Sequence, residues 1–248
     1  MNILVCISSV PDTTSKINFT DNDTKFDKDG IQFVINPYDE FGLTRAMKIK
    51  ESLGATITVV TVGDSSVEPV MRKALAIGAD NAIRIDFNPS DSFSTAMAIS
   101  NYIKTNSFDI IITGRESIDY NGGSVPGMIA EVLSMPFVNA CIGLEIQNDR
   151  VRCVREIDGG KEILSATLPV IIAGQKGLVE ESELRIPNMR GIMQSRTKPL
   201  EVLNYDNIEN KTSTISFSHP EKKSSCKIVD ADNVQELVDL LHNEAKVI

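Results

Sequence analysis

The run Ile110-Ile111-Ile112, closed by Thr113 and Gly114, constrains this chain more than any other feature. Consecutive branched apolar residues leave no polar side chain for a solvated face. A strand with that sequence is therefore covered on both sides, as in a parallel sheet carrying helices above and below. The neighbouring segments agree. Ile3 to Ile7, Thr56 to Val62 and Ala82 to Ile85 read as further strands. Between them Asp39 to Ser52, the segment carrying Val70, Met71, Leu75 and Ala76, and Ser94 to Thr105 read as helices, with Gly54 and Gly78 closing the first two. The expected fold is α/β, a mostly parallel sheet with helices on both faces.

The polar stretch from Asp12 to Gly30 interrupts this rhythm and is expected to carry short strands around Ile17-Asn18-Phe19 and Gln32-Phe33-Val34. Beyond Gly174 the alternation stops, and from Leu203 onward the chain is weakly patterned. Thr214 to Phe217 is expected as a short strand. Val234, Leu237, Val238 and Leu241 define one apolar face of a last helix starting near Asp230 or Asp232. This divides the chain into a body, 1–203, and a C-terminal arm, 204–248.

The 25 basic and 34 acidic side chains give a net charge of −9, which argues against broad binding to nucleic acid or to an anionic membrane. No segment reaches the ~18 consecutive apolar residues needed to cross a bilayer. Met1-Asn2 leads straight into the first strand without a signal-type core, so the chain reads as cytoplasmic. Cys6, Cys141, Cys153 and Cys226 are scattered, and His219 and His242 both lie in the arm, so metal-ligand spacing is absent and a histidine acid or base is not expected.

A glycine-containing segment, Gly114-Arg115-Glu116-Ser117-Ile118-Asp119-Tyr120-Asn121-Gly122-Gly123-Ser124, follows the buried strand and leads into a helix. Ligands of open α/β sheets bind at the carboxyl ends of the strands, and Gly122-Gly123 lets backbone approach a phosphate. Ser124 is a candidate N-cap, Pro126 suits the first turn, and Met128, Ile129, Val132 and Leu133 supply the inward face. The segment is neither a Walker loop nor the three-glycine dinucleotide fingerprint, and by itself it fits a simple turn as well as an anion site.

Arg155-Glu156-Ile157-Asp158-Gly159-Gly160-Lys161-Glu162 reads as a tight hairpin between a strand with Val151, Cys153 and Ile157 inward and one with Ile163, Ala166 and Leu168 inward. The order of an arginine, the Asp-Gly-Gly turn, an acid and then Pro169 before the apolar run Val170-Ile171-Ile172-Ala173 closely resembles the signature of the electron transfer flavoprotein beta subunit. Cys153 departs from the small aliphatic residue usual there. The resemblance runs from the first strand to about Leu203.

The resemblance implies a Rossmann-like, adenine-nucleotide-binding fold and a chain without acid, base or nucleophile of its own. In a heterodimer, FAD is held mainly by an alpha subunit while the beta subunit covers one side of it and binds AMP. Carried over residue by residue, the nucleotide site comprises Cys6, Asn36-Pro37-Tyr38-Asp39, Val62 and the loop Gly114, Arg115, Glu116, Ser117, Ile118, Asp119, Tyr120, Asn121, Gly122, Gly123, Ser124 and Val125. Tyr38 falls where the family places an aromatic near the isoalloxazine, with Thr13 where some members carry tyrosine. From Tyr120 to Val125 the loop departs from the AMP-binding version, and it shares only Val125 in register with the bifurcating version, which holds a second FAD here. AMP is the favoured occupant, with the second FAD, or an empty or different site, as alternatives.

Arg185, Arg190, Arg196 and Lys198 lie without an intervening acid between Glu183 and Glu201, a solvated basic stretch or a patch that steers an acidic partner. Leu184-Arg185-Ile186-Pro187-Asn188-Met189 resembles the family's recognition loop, near 183–198, with Ile186 as the apolar anchor and Pro187, Asn188, Met189 and Arg190 beside it. The implied function is passage of electrons from acyl-CoA-type or other flavin dehydrogenases, through FAD, to a quinone oxidoreductase or another acceptor. The arm is implied to pack on the alpha subunit, and Arg155, Glu156 and Asp158 to serve subunit contacts or hairpin structure. A free-standing adenine-nucleotide sensor, which predicts a homodimer, is the rival from another class. An ATP-cleaving synthetase is disfavoured because its Ser-Gly-Gly-x-Asp-Ser loop is absent.

Overall fold

The computed structural model describes residues 1–205, 208–221 and 226–248. Among these residues thirteen strands and six α-helices follow in chain order: β1 (Asn2–Cys6), β2 (Ser9–Pro11), β3 (Phe19–Thr20), β4 (Lys25–Phe26), β5 (Phe33–Ile35), α1 (Pro37–Leu53), β6 (Thr56–Val62), α2 (Glu68–Ile77), β7 (Asn81–Ile85), α3 (Ser92–Lys104), β8 (Ile110–Gly114), α4 (Val125–Leu133), β9 (Phe137–Gln147), β10 (Arg150–Ile157), β11 (Gly160–Thr167), β12 (Val170–Gly174), α5 (Met189–Ser195), β13 (Leu200–Leu203) and α6 (Val234–Asp239).

Nine strands form one sheet in the order β11-β10-β9-β12-β8-β1-β6-β7-β13. From β9 to β13 every neighbouring pair is parallel, and the β9–β10 and β10–β11 pairs are antiparallel. The α/β expectation holds. Alternation of side chains explains the cover on both faces: Ile3, Val5, Ile57, Val59, Ile110 and Ile112 belong to one buried cluster with α1 and α2, while Leu4, Val60, Ile111 and Ile171 belong to another with α3 and α4. Burial of each such isoleucine contributes about 2–3 kcal/mol.

Local chemistry sets the helix ends. Pro37 starts α1 and Gly54, at φ 73°, ends it; the Asp91 carboxylate caps α3 by accepting from the Ser94 amide at 2.7 Å. The chain leaves β1 for β6 on one side and returns to β8 on the other. The crevice between the carboxyl ends of β1 and β8 is thus the topological switch point.

Several expectations are corrected. Ile163 points outward and Ile157 is also exposed; the inward set is Leu164 and Ala166 on β11 and Leu168 just beyond it, one residue out of step with Ile163. Ser124 stands at the N-cap position before α4 but makes no side-chain cap. The stretch after Gly174 contains α5 and the edge strand β13, which pairs with β7. Thr214 to Phe217 is no strand; instead the Phe217 ring stacks on Phe19 at 5.0 Å and its amide donates to the Asp23 carbonyl. The last helix starts at Val234 behind an Asn233 cap, later than expected, and continues as a π-type turn over Leu240–Ala245.

The early arm lies on the body. Tyr205 and Ile208 pack against the α3–α4 cluster, and the Asp91 carboxylate accepts from the Lys211 and Thr212 amides at 2.5 and 2.8 Å. Val234, Leu237 and Val238 of α6 stay exposed. No helix among the described residues is long and apolar enough to cross a membrane.

Candidate nucleotide site and docking loop

Two side chains at the start of α1 brace the switch point. The Asp39 carboxylate, 3% exposed, accepts from the Ser8 amide beyond β1 at 2.7 Å and from the Gly114 amide at the end of β8 at 2.9 Å. Asn36, fully buried, donates through Nδ2 to the Glu116 carbonyl at 2.9 Å and accepts through Oδ1 from the Ile118 amide at 3.2 Å. Both strands and the loop are therefore tied to one helix turn. Any side chain at 114 would strike the Asp39 carboxylate and come within 2.8 Å of Tyr38 Cβ, so the glycine is required by close approach. Burial pushes the Asp39 carboxyl up to about 7 against the lowering effect of its amide donors. Cys6, buried at the end of β1, has its thiol pushed up by burial and then by Asp39.

The loop above this brace is held by a polar chain. Arg115 donates to Glu116 at 2.6 Å and to Gln175 Oε1 at 3.0 Å, and its guanidinium lies 5.3 Å from the centre of the Tyr38 ring. Gln175 in turn donates to Glu156 at 2.5 Å, which links the loop to the β10–β11 hairpin. The Ser117 carbonyl accepts from the Asn121 amide, and Asp119 from the Tyr120 amide. Asn121 and Gly123 take positive φ values of 51° and 60°, and both lie at the exposed crest with Tyr120 and Gly122. The Val125 and Gly127 amides at the start of α4 donate to no group among the described residues, and Pro126 has no amide to offer.

Thus Asn36, Asp39, Gly114, Glu116 and Ile118 are joined by direct hydrogen bonds, with Pro37 at the helix start and Tyr38 beneath Arg115. Val62 ends β6 beside them, two residues past the Cys6–Val60 pairing. Asn36 and Asp39 act as internal braces and present no free polar atom to a ligand. Sequence reasoning missed Ser8 and Gln175. Each is among the first polar residues after a buried parallel strand, the position where such sheets build sites. It also missed Arg84, a buried cation on β7 that donates to Glu68 at 3.0 Å, to the Gly63 carbonyl at 3.0 Å and to Asp86 at 2.6 Å, clamping the turn after Val62.

The 183–198 segment is fastened at both ends. On one side Arg185 donates its amide to Thr44 at 3.3 Å and pairs with Glu51, while Glu183 meets Lys48. On the other, α5 seats on α2, with Gly191 pressed so closely to the Ala76 carbonyl that a Cβ would collide with it. Exposed ion pairs of this kind contribute at most ~1 kcal/mol, so the backbone contacts do most of the fixing. Of the four cations expected to form a basic patch, Arg185 is paired and Lys198 is turned inward to backbone carbonyls; Arg190 and Arg196 stay exposed. Ile186, 85% exposed, stands at the crest with Met189 and Met193.

The family described as "Electron transfer flavoprotein domain" matches residues 23–207. The chain is 37% identical to the electron transfer flavoprotein subunit beta of Bacillus subtilis over the whole of both chains. It is 34% identical to the subunit beta of Syntrophomonas wolfei, covering all of this chain and 98% of that one. It is also 30% identical to the acryloyl-CoA reductase electron transfer subunit gamma of Anaerotignum propionicum, covering 97% of this chain and 98% of that protein.

Proposed function

The chain belongs to the electron transfer flavoprotein family, among its beta subunits, and from that premise we propose that it works as half of a heterodimeric electron carrier. An alpha subunit holds most of the FAD and this chain closes one side of it. Bound flavin supplies the redox chemistry. The chain's own part is to orient and to dock, and it is a carrier subunit rather than an enzyme. The similarity to beta subunits over the full length carries this reading.

Fit to the two cofactors rests on particular groups. Tyr38, stacked under Arg115, offers an aromatic edge at the carboxyl side of the sheet, suited to a flat ring system. For AMP, Gly122 and Gly123 leave the loop crest without side chains, and the Val125 and Gly127 amides at the start of α4 provide free donors for a phosphate. Asn36, Asp39 and Gly114 hold that loop in place without touching the nucleotide. The anchored 183–198 segment receives an acyl-CoA-type or other flavin dehydrogenase through Ile186, Pro187, Asn188, Met189 and Arg190, and electrons pass on to a quinone oxidoreductase or another acceptor in the cytoplasm.

The test is the cofactor content of the complex co-purified with its alpha subunit, released by denaturation and quantified by chromatography. One FAD and one AMP per heterodimer is the expected result. Two FAD without AMP makes the protein a bifurcating carrier, and absence of a flavin-containing complex overturns the proposal in favour of a nucleotide sensor.

A further inference from the structure

Eight methionines occur in the chain, and they are unevenly placed. Met47 and Met71 are in the core, Met97, Met128 and Met135 are partly covered, and Met1 opens the chain at 37% exposure. Met189 and Met193 are 75% and 68% exposed. They are four residues apart on α5, so they share one face, and Gly191 between them faces the other way, against Ala76. Ile186 and Ile192 complete the same outward apolar surface. Two unhindered thioethers thus sit in the centre of the surface that receives the dehydrogenase.

We propose that Met189 and Met193 form an oxidation-sensitive switch, with peroxide converting both to sulfoxides and so releasing the dehydrogenase from the docking surface. This rests on the docking reading given above. A sulfur lone pair attacks one peroxide oxygen, an S–O bond forms and the O–O bond breaks. The proton on the transferred oxygen passes to the departing hydroxide, which leaves as water. Sulfur is oxidised by two electrons and peroxide is reduced by two. A flexible apolar side chain becomes a polar one with a strong acceptor oxygen. Inside a dehydrated contact that oxygen lacks a donor, and the contact weakens. Methionine sulfoxide reductases drawing on a dithiol reverse the step, removing the oxygen as water while the dithiol becomes a disulfide.

The experiment uses the holo heterodimer, treated with graded hydrogen peroxide, mapped by peptide mass spectrometry and assayed with an acyl-CoA dehydrogenase reduced by its substrate. Met189 and Met193 should oxidise before Met47 and Met71. The apparent KM for the dehydrogenase should then rise on the order of tenfold, with kcat little changed. Combined treatment with methionine sulfoxide reductases A and B should restore it. In the M189L/M193L variant the ratio of oxidised to unoxidised KM should stay at one, whatever its starting KM. Full oxidation of both residues without a change in KM overturns the switch, as does a KM rise that persists in the double variant. Ile186→Asp separates the two levels: if it raises KM and oxidation does not, only the switch fails; if it leaves KM unchanged, the docking reading fails with it.

Discussion

Arg72 and Lys198 cap each other's helices. Arg72, on α2, donates to the Ser195 and Lys198 carbonyls at 2.7 and 2.8 Å, and Lys198, just past α5, donates to the Leu75 and Ala79 carbonyls at 2.9 and 2.6 Å. Each cation fills the carbonyl-rich end of the other's helix, where positive charge is favoured. A seven-residue helix too short to be stable alone is thereby held to the body.

Lys198→Met keeps the aliphatic stem and removes the donors. It should lower stability by about 1–2 kcal/mol and speed proteolysis between Leu184 and Lys198. Urea denaturation and limited proteolysis check this. An unchanged midpoint with an unchanged cleavage pattern would show that the mutual capping contributes nothing.

Gly114→Ala places a methyl against the Asp39 carboxylate and should cost about 2–3 kcal/mol. Asp39→Ala should also destabilise, by leaving the Ser8 and Gly114 amides without an acceptor. The double variant should lose less than the sum, because the collision and the lost acceptor share one carboxylate. Additive losses would place the strain elsewhere.

The raised Asp39 carboxyl carries a pH signature. Its folded value is about 7, against ~3.9 for an unfolded aspartate. Between these values the folded chain holds a proton that the unfolded chain has released, so this group's contribution to stability falls as pH rises from about 4 to 7, by at most ~1.4 kcal/mol per pH unit. Asp39→Asn should abolish that slope. Denaturation of both proteins across this range decides it, and parallel profiles would mean Asp39 stays ionised throughout.

Ile186→Asp should raise the apparent KM for the reduced dehydrogenase by at least about tenfold while bound flavin is unchanged, since a buried charge defeats an apolar anchor. Rapid-mixing kinetics alongside the flavin spectrum provide the measurement. Loss of flavin would instead make the segment part of the subunit fold.

Leu237 and Val238 are 46% and 42% exposed, so Leu237→Asp should change the stability of the isolated chain by less than ~0.5 kcal/mol. Assembly with the alpha subunit, followed by calorimetric titration, should weaken. A lowered denaturation midpoint of the isolated chain would mean that the helix packs at home.

What could be read from residue types follows burial. Strand β6 coincides with the expected Thr56 to Val62, and α1, α2 and α3 fall within two residues of the patterns that announce them, because apolar periodicity records the faces buried against the sheet. Where tertiary contact decides, pattern is silent. Helix α5 carries a glycine and no core face, and is held by Arg72, Lys198 and the Ala76 approach. Strand β13 is four residues at an edge, with Glu201 and Val202 exposed. Ile163 is apolar yet outward, so counting apolar residues on β11 misplaces the inward face. The loop between β8 and α4 was legible from Gly122-Gly123 after a buried strand, whereas Asn36 and Asp39 entered through family resemblance, and nothing in their local sequence announces that they bridge to Ser8, Gly114 and Glu116.

Because Asp39 and Asn36 already satisfy the backbone at Ser8, Gly114, Glu116 and Ile118, the sheet beneath the loop does not depend on a guest to be complete. The crest from 119 to 124 can then be rewritten like an interchangeable cassette while the strands and their register stay as they are.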